Sequence, residues 1–210
     1  MFFVLEDEYR GPYDTEFTLL GDDVGEAPRC RKCDGFVGML PSLPPYRVTL
    51  ELYGREFGDS IRGFDCPLFT QRFSEAFRAN ELRGIQDFHP VEVTRVRRQR
   101  RGRKPLPPTY FYVQPTFGGA AVDDSRSRLR RAKPIDCDWC RATGVDAIHG
   151  FALEPDSWNG DDIFTPRGLT GTLVVSERFA RLVTRHGFTN MRLIPTEEYT
   201  WDPLGRGPMS

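Results

Sequence analysis

Apolar side chains recur along the chain in two patterns, and each pattern occurs twice. Runs of aromatic and branched residues, Phe2-Phe3-Val4-Leu5 and Tyr110-Phe111-Tyr112-Val113, read as strands. Further on, Phe69, Phe73, Ala76 and Phe77 stand at i, i+4, i+7 and i+8, and Val175, Phe179, Leu182 and Val183 repeat that spacing. Each set forms one apolar stripe on an amphipathic helix. Thr70 and Ser176 sit where an N-cap belongs, and Gly187 suits the left-handed residue that closes a helix. A strand is expected after each helix, over about Ile85–Val93 and Met191–Ile194.

The order of these elements points to a chain written twice. The anchors correspond at shifts of 102 to 108 positions, always in the same order: Phe2–Leu5 with Tyr110–Val113, Gly11 with Gly119, and Gln71-Arg72-Phe73 with Glu177-Arg178-Phe179. Gly58-Asp59-Ser60-Ile61 likewise resembles Gly160-Asp161-Asp162-Ile163. The expected fold is therefore α+β, built from two strand–Cys-x-x-Cys knuckle–helix–strand units related by an approximate internal two-fold axis. The first unit spans residues 1–104 and the second 105–210, either as separate domains or as one intertwined domain. The Arg- and Pro-rich stretch Arg97–Pro108 reads as an exposed connecting loop, and Asp202–Ser210, with two Gly and two Pro, as a frayed tail.

Composition changes this picture only by exclusion. The 210 residues are 39% hydrophobic and 12% aromatic, enough for a packed core and too much for a disordered chain. No apolar run approaches the roughly 18 residues of a membrane span. The first residues meet Glu6-Asp7-Glu8 without a basic leader or cleavage site, so a cytoplasmic location is expected.

Chemistry concentrates in the cysteines. Cys30-x-x-Cys33 and Cys137-x-x-Cys140 share one spacing, and Cys66 stands apart. Structural zinc takes four ligands in a tetrahedron, commonly from two such turns, so each pair is half a site. The three histidines, His89, His149 and His186, occupy no matching positions in the two units and cannot complete two private sites. One zinc held by Cys30, Cys33, Cys137 and Cys140 near the internal axis, pinning the units together, is the expected arrangement; metal-free reduced thiols and redox activity are the alternatives.

The net charge of −1 hides a segregation. Residues 95–133 carry +10 and the remainder −11. Arg97, Arg98, Arg100, Arg101 and Arg103 form a tract that suits a nucleic-acid backbone, although Arg outnumbers Lys 26 to 3 throughout the chain. The acidic residues near both ends would steer a basic protein partner. No Ser/His/Asp set, phosphate-cradling glycine loop or His-Glu-x-x-His helix occurs, so a non-catalytic protein is expected.

The two cysteine pairs a hundred residues apart, together with Val175-Ser176-Glu177-Arg178-Phe179 and the Gly187–Pro195 turn and strand, resemble the double-CXXCG-motif proteins, a myxobacterial paralogous family, over nearly the whole chain. The resemblance implies a four-cysteine site and a cytoplasmic immunity protein that neutralises a cognate toxin; it supplies no catalytic residue. The chain departs from the family pattern where glycine should follow the second cysteine, having Asp34 and Arg141 instead. A nucleic-acid-binding regulator and an accessory peptide-binding protein of a biosynthetic cluster are the competing functions.

Overall fold

A computed structural model describes residues 1–21, 23–63, 66–99 and 105–207. The first half contains β1 (Phe2–Glu6), β2 (Thr15–Leu20), β3 (Tyr46–Leu52), β4 (Ser60–Arg62), β5 (Pro67–Thr70), α1 (Gln71–Ala79) and β6 (Ile85–Arg98). The second contains β7 (Tyr110–Asp123), β8 (Leu129–Arg131), β9 (Val145–His149), β10 (Ala152–Leu153), β11 (Ile163–Arg167), β12 (Val174–Ser176), α2 (Glu177–His186), β13 (Arg192–Pro195) and β14 (Thr200–Trp201). A mixed sheet runs in the order β13-β1-β12-β11-β7-β6-β3-β2, with β4, β5 and β10 attached, and β14-β9-β8 form a small second sheet. The α+β class matches the expectation. No helix among the described residues is long and apolar enough to cross a membrane.

The opening strand of each half is held by the other half. β1 lies between β12 and β13, and β7 lies between β5 and β6. The registers correspond pair for pair. Phe2, Phe3 and Val4 face Ser176, Val175 and Val174, while Tyr110, Phe111 and Tyr112 face Thr70, Phe69 and Leu68. On their other sides Phe3 faces Pro195 and Phe111 faces Pro90.

Both helical stripes are buried, with one correction to each. Phe69 and Val175, the first members, lie on the strands that precede the helices; Phe73, Ala76 and Phe77 on α1 and Phe179, Leu182 and Val183 on α2 carry the helical part. The rings of Phe73 and Phe179 sit 5.6 Å apart in a core shared by the two helices, which also takes in Phe69, Phe77, Phe88 and Phe188. Full burial of such side chains contributes roughly 1.5–3 kcal/mol each. Ser176 caps α2 by accepting the Phe179 amide, and Gly187 closes it at φ 59°; Thr70 occupies the matching place on α1 but its side chain makes no capping bond.

A buried carboxylate in each half fastens the helix of its own half to the end of the other helix. Asp59 accepts Thr70 Oγ1 at 2.8 Å, Arg72 Nη2 at 2.6 Å and the Thr189 amide at 2.9 Å, and Arg72 goes on to the carbonyls of His186 and Gly187 at the end of α2. Asp162 accepts Ser176 Oγ, Arg178 Nη1 at 3.1 Å and the Arg83 amide at 3.0 Å, and Arg178 reaches the carbonyls of Asn80 and Glu81 beyond α1. Burial opposes ionisation of Asp59, but Arg72, the Thr189 amide and Thr70 outweigh it and hold the carboxyl below its usual range. Gly84 is required beside the second clamp: at φ +103° a Cβ there would lie 1.9 Å from the Ile163 carbonyl oxygen.

Two expectations need correction. The strand after α1 continues past Val93 to Arg98, so the first residues of the expected loop are in the sheet. Val91 and Val93 face the core, a bulge at Thr94 shifts the alternation by one, and Val96 faces it next. This apolar pattern keeps a basic stretch paired with β3. The tail is also fastened through Gly207: Asp202 accepts the amides of Arg206 and Gly207, Arg130 donates to the carbonyls of both, and Arg206 pairs with Asp146 at 2.7 Å.

Candidate metal centre

Each cysteine pair occupies a tight turn in which the fourth residue's successor donates back to the first: the Asp34 amide to the Cys30 carbonyl and the Arg141 amide to the Cys137 carbonyl, both at 2.9 Å. Those donors, Asp34 and Arg141, adopt left-handed φ values of 58° and 52°. That is the conformation glycine takes at least cost. Asp34 and Arg141 thus preserve one turn shape in both knuckles.

The turns meet. Cys30 Sγ lies 3.9 Å from Cys137 Sγ, Cys33 Sγ lies 3.8 Å from Cys140 Sγ, and all four sulfurs fall within 4.8 Å of one another. A regular tetrahedron with metal–sulfur bonds of about 2.3 Å has edges of about 3.8 Å. Cys30 and Cys140 are buried, Cys137 is half-buried and Cys33 is exposed, and none forms a disulfide. The cluster is compatible with a metal ion, and its four thiols suit a thiophilic one.

The electrostatics of the four thiols differ from one to the next. Burial works against Cys30, but the amides of Cys33 and Lys32 and the neighbouring thiols pull it well below the usual thiol range. The Cys140 and Trp139 amides do the same for Cys137. Cys33 is held high by Cys30, burial and Cys137 against the Gly35 amide, and burial chiefly pushes Cys140 up. Four thiolates this close repel one another, and a bound dication relieves that repulsion while the remaining protons leave.

The knuckles differ in what backs them. The second lies between β8 and β9, its Cys140 carbonyl accepts the Gly168 amide at 3.0 Å, and Arg141 reaches the Val122 carbonyl and pairs with Glu154 at 2.7 Å. The first lies in a long excursion, whose described residues are 21 and 23–45, between the paired strands β2 and β3. It touches the second knuckle through Lys32 and Asp138 at 3.4 Å and through Arg31 stacked 4.5 Å from the Trp139 ring centre. Val37 is packed with the cysteines and Phe117.

No family model matches the chain, and a search of curated proteins returns no match.

The other candidate residues are scattered. Arg97 is exposed on β6, whereas its neighbour Arg98 is half-buried, as alternation along a strand requires. Arg100, Arg101 and Arg103 lie outside the described residues. Part of the remaining positive charge is engaged by neighbours: Arg131 pairs with Asp124 at 2.7 Å, and Arg130 and the exposed Arg128 donate to backbone carbonyls. Among the described residues, the positive charge of the segment is therefore partly engaged rather than wholly free. His149 lies 3.2 Å from Asp202, in the small sheet rather than in the thiol cluster. The pattern of the sequence did not single out Arg31, Lys32, Trp139 and Arg141 as supports of the centre. Asp59, Arg72, Asp162 and Arg178, by contrast, sit within the very anchors that revealed the repetition.

Proposed function

We propose that the chain is a non-catalytic binding protein stabilised by one structural zinc ion at Cys30, Cys33, Cys137 and Cys140, and that it serves as a cytoplasmic immunity protein that neutralises a cognate toxin by stoichiometric binding. The zinc reading is carried by one observation: sulfurs from two turns far apart in sequence converge at tetrahedral spacing, with backbone amides aimed at them. Cys30, Cys33, Cys137 and Cys140 would hold the ion, which would supply cross-linking rather than reactivity.

A tandem duplication with intertwined halves is the origin we infer for the fold. It is supported by the matched registers of β1 and β7, by the paired clamps around Asp59 and Asp162, and by the common φ of Asp34 and Arg141. That left-handed φ, where the double-CXXCG proteins carry glycine, also supports the family resemblance. A binding role is supported by the concentration of exposed large apolar residues, Leu20, Val24, Phe36, Met39, Leu40 and Leu43, around the first knuckle.

The first test is metal analysis of protein purified without added metal, with one zinc per chain expected; a fully folded, metal-free sample removes the zinc reading. Co-expression with the product of an adjacent toxin-like gene should yield an equimolar, inactive complex. Salt-sensitive retention on DNA or RNA that neutralising Arg97 abolishes would instead favour the nucleic-acid regulator.

A further inference from the structure

We propose that the four-thiol centre is a latch: bound metal holds residues 23–45 against the sheet, and loss of the metal releases that segment while the rest of the fold stays assembled. This rests on the reading of the cluster as a metal centre and adds to it a local, reversible consequence.

The bonding pattern carries the inference. The backbone hydrogen bonds described for the segment stay within it: Gly25 to Pro41, Val37 to Pro28, Leu43 to Asp23, and Cys30 to Gly35. Among the described residues, every hydrogen bond, ion pair or cation–π contact leaving it ends on residues 137–140. Apart from the thiols these are Lys32 with Asp138, whose side chains are 53% and 86% exposed and hence screened by water, and Arg31 stacked on Trp139. The apolar attachment is Val37 against the cysteines and Phe117. A metal ion binding all four sulfurs would be the strongest tie by far.

The halves need no such tie. β1 is hydrogen-bonded between β12 and β13, β7 between β5 and β6, and the clamps at Asp59 and Asp162 join the helices across the halves. Removing the ion leaves all of these contacts in place. Local opening is therefore expected before global unfolding.

The latch also shapes a surface. The held segment forms one wall of a cleft of about 820 Å³, with Pro28, Phe36 and Met39 facing Gln114, Phe117 and Leu173. Release of residues 23–45 would dismantle that wall, so the shape offered to any protein partner would depend on metal occupancy.

Hydrogen exchange read by mass spectrometry, with metal content measured on the same samples during titration with a zinc chelator, tests the proposal. The expected result is exchange in 23–45 rising by at least about tenfold in step with metal loss, while residues 71–79 and 177–186 keep their protection. The doubly substituted Arg31→Ala, Lys32→Ala protein should keep full protection of 23–45 while metal is bound, and Cys33→Ser should lose it without chelator. Unchanged exchange in 23–45 after complete metal loss overturns the latch, as does simultaneous loss of protection in both helices. Absence of metal at the outset shows instead that the zinc reading itself has failed.

Discussion

The two cysteine knuckles have the same turn and a left-handed residue at the same place, yet they are built into the molecule differently. The second lies in the connection 132–144 between adjacent paired strands and is bolted to the sheet by the Cys140 carbonyl and Arg141. The first lies within residues 23–45 and meets the body through the second knuckle and through Val37 against Phe117. Equal turn geometry therefore does not mean equal mechanical dependence on the ligand. On the proposed reading the anchored knuckle is a preformed half-site, and the suspended one would rely on the ion to hold it in place.

The helix clamps form the matched control for this contrast, and the largest effect is expected there. Arg72→Ala and Arg178→Ala each leave a buried carboxylate without its half-exposed cation but with its other donors, and each should cost about 2–3 kcal/mol in urea denaturation. Near-equal losses would support equivalent halves; a large loss from one alone would break that symmetry.

A smaller effect belongs to the first half alone. Burial raises the Asp7 carboxyl from 3.8 to about 6, against hydrogen bonds from the Arg62 amide and Ser60, and the position corresponding to Asp7 in the second half is Pro115. Between those two pH values the folded chain keeps a proton that the unfolded chain has lost. The contribution of Asp7 to stability is thus greatest below pH 3.8, declines as pH rises to about 6 and is flat above it. The decline should amount to about 2 kcal/mol and be absent from Asp7→Asn, as denaturation at pH 4 and pH 7 would reveal.

The smallest expected difference bears directly on the knuckles. Arg141→Ala removes a partly buried bond to the Val122 carbonyl and the Glu154 pair, and should cost about 1–2 kcal/mol. Arg31→Ala removes one exposed stacking contact, worth about 0.5–1 kcal/mol at most. Equal costs, measured by thermal melting of the metal-bound protein, would erase the distinction between anchored and suspended turns.

Much of the site and the local structure can be read from the residue order, because their causes are local. The spacing of Phe73, Ala76 and Phe77 and of Phe179, Leu182 and Val183 dictates two one-sided helices, and two identical Cys-x-x-Cys turns announce ligands that must find each other. Arg72 and Arg178 were legible as repeated residues, whereas the repeated order set Asp59 against Asp161 and not Asp162; the clamps themselves were not legible, since each carboxylate also meets backbone from the other half.

By itself, then, the sequence determined the helices, the repeated order of motifs and the four candidate ligands, through periodicity and residue chemistry acting over short stretches. Tertiary structure alone decided that each opening strand pairs with the opposite half, that β6 runs on to Arg98, that part of the arginine charge is engaged by neighbours, and that one knuckle is anchored and the other suspended. Those outcomes depend on hydrogen bonds and charge pairs that mostly join residues tens to more than a hundred positions apart, and only folding brings such partners within reach.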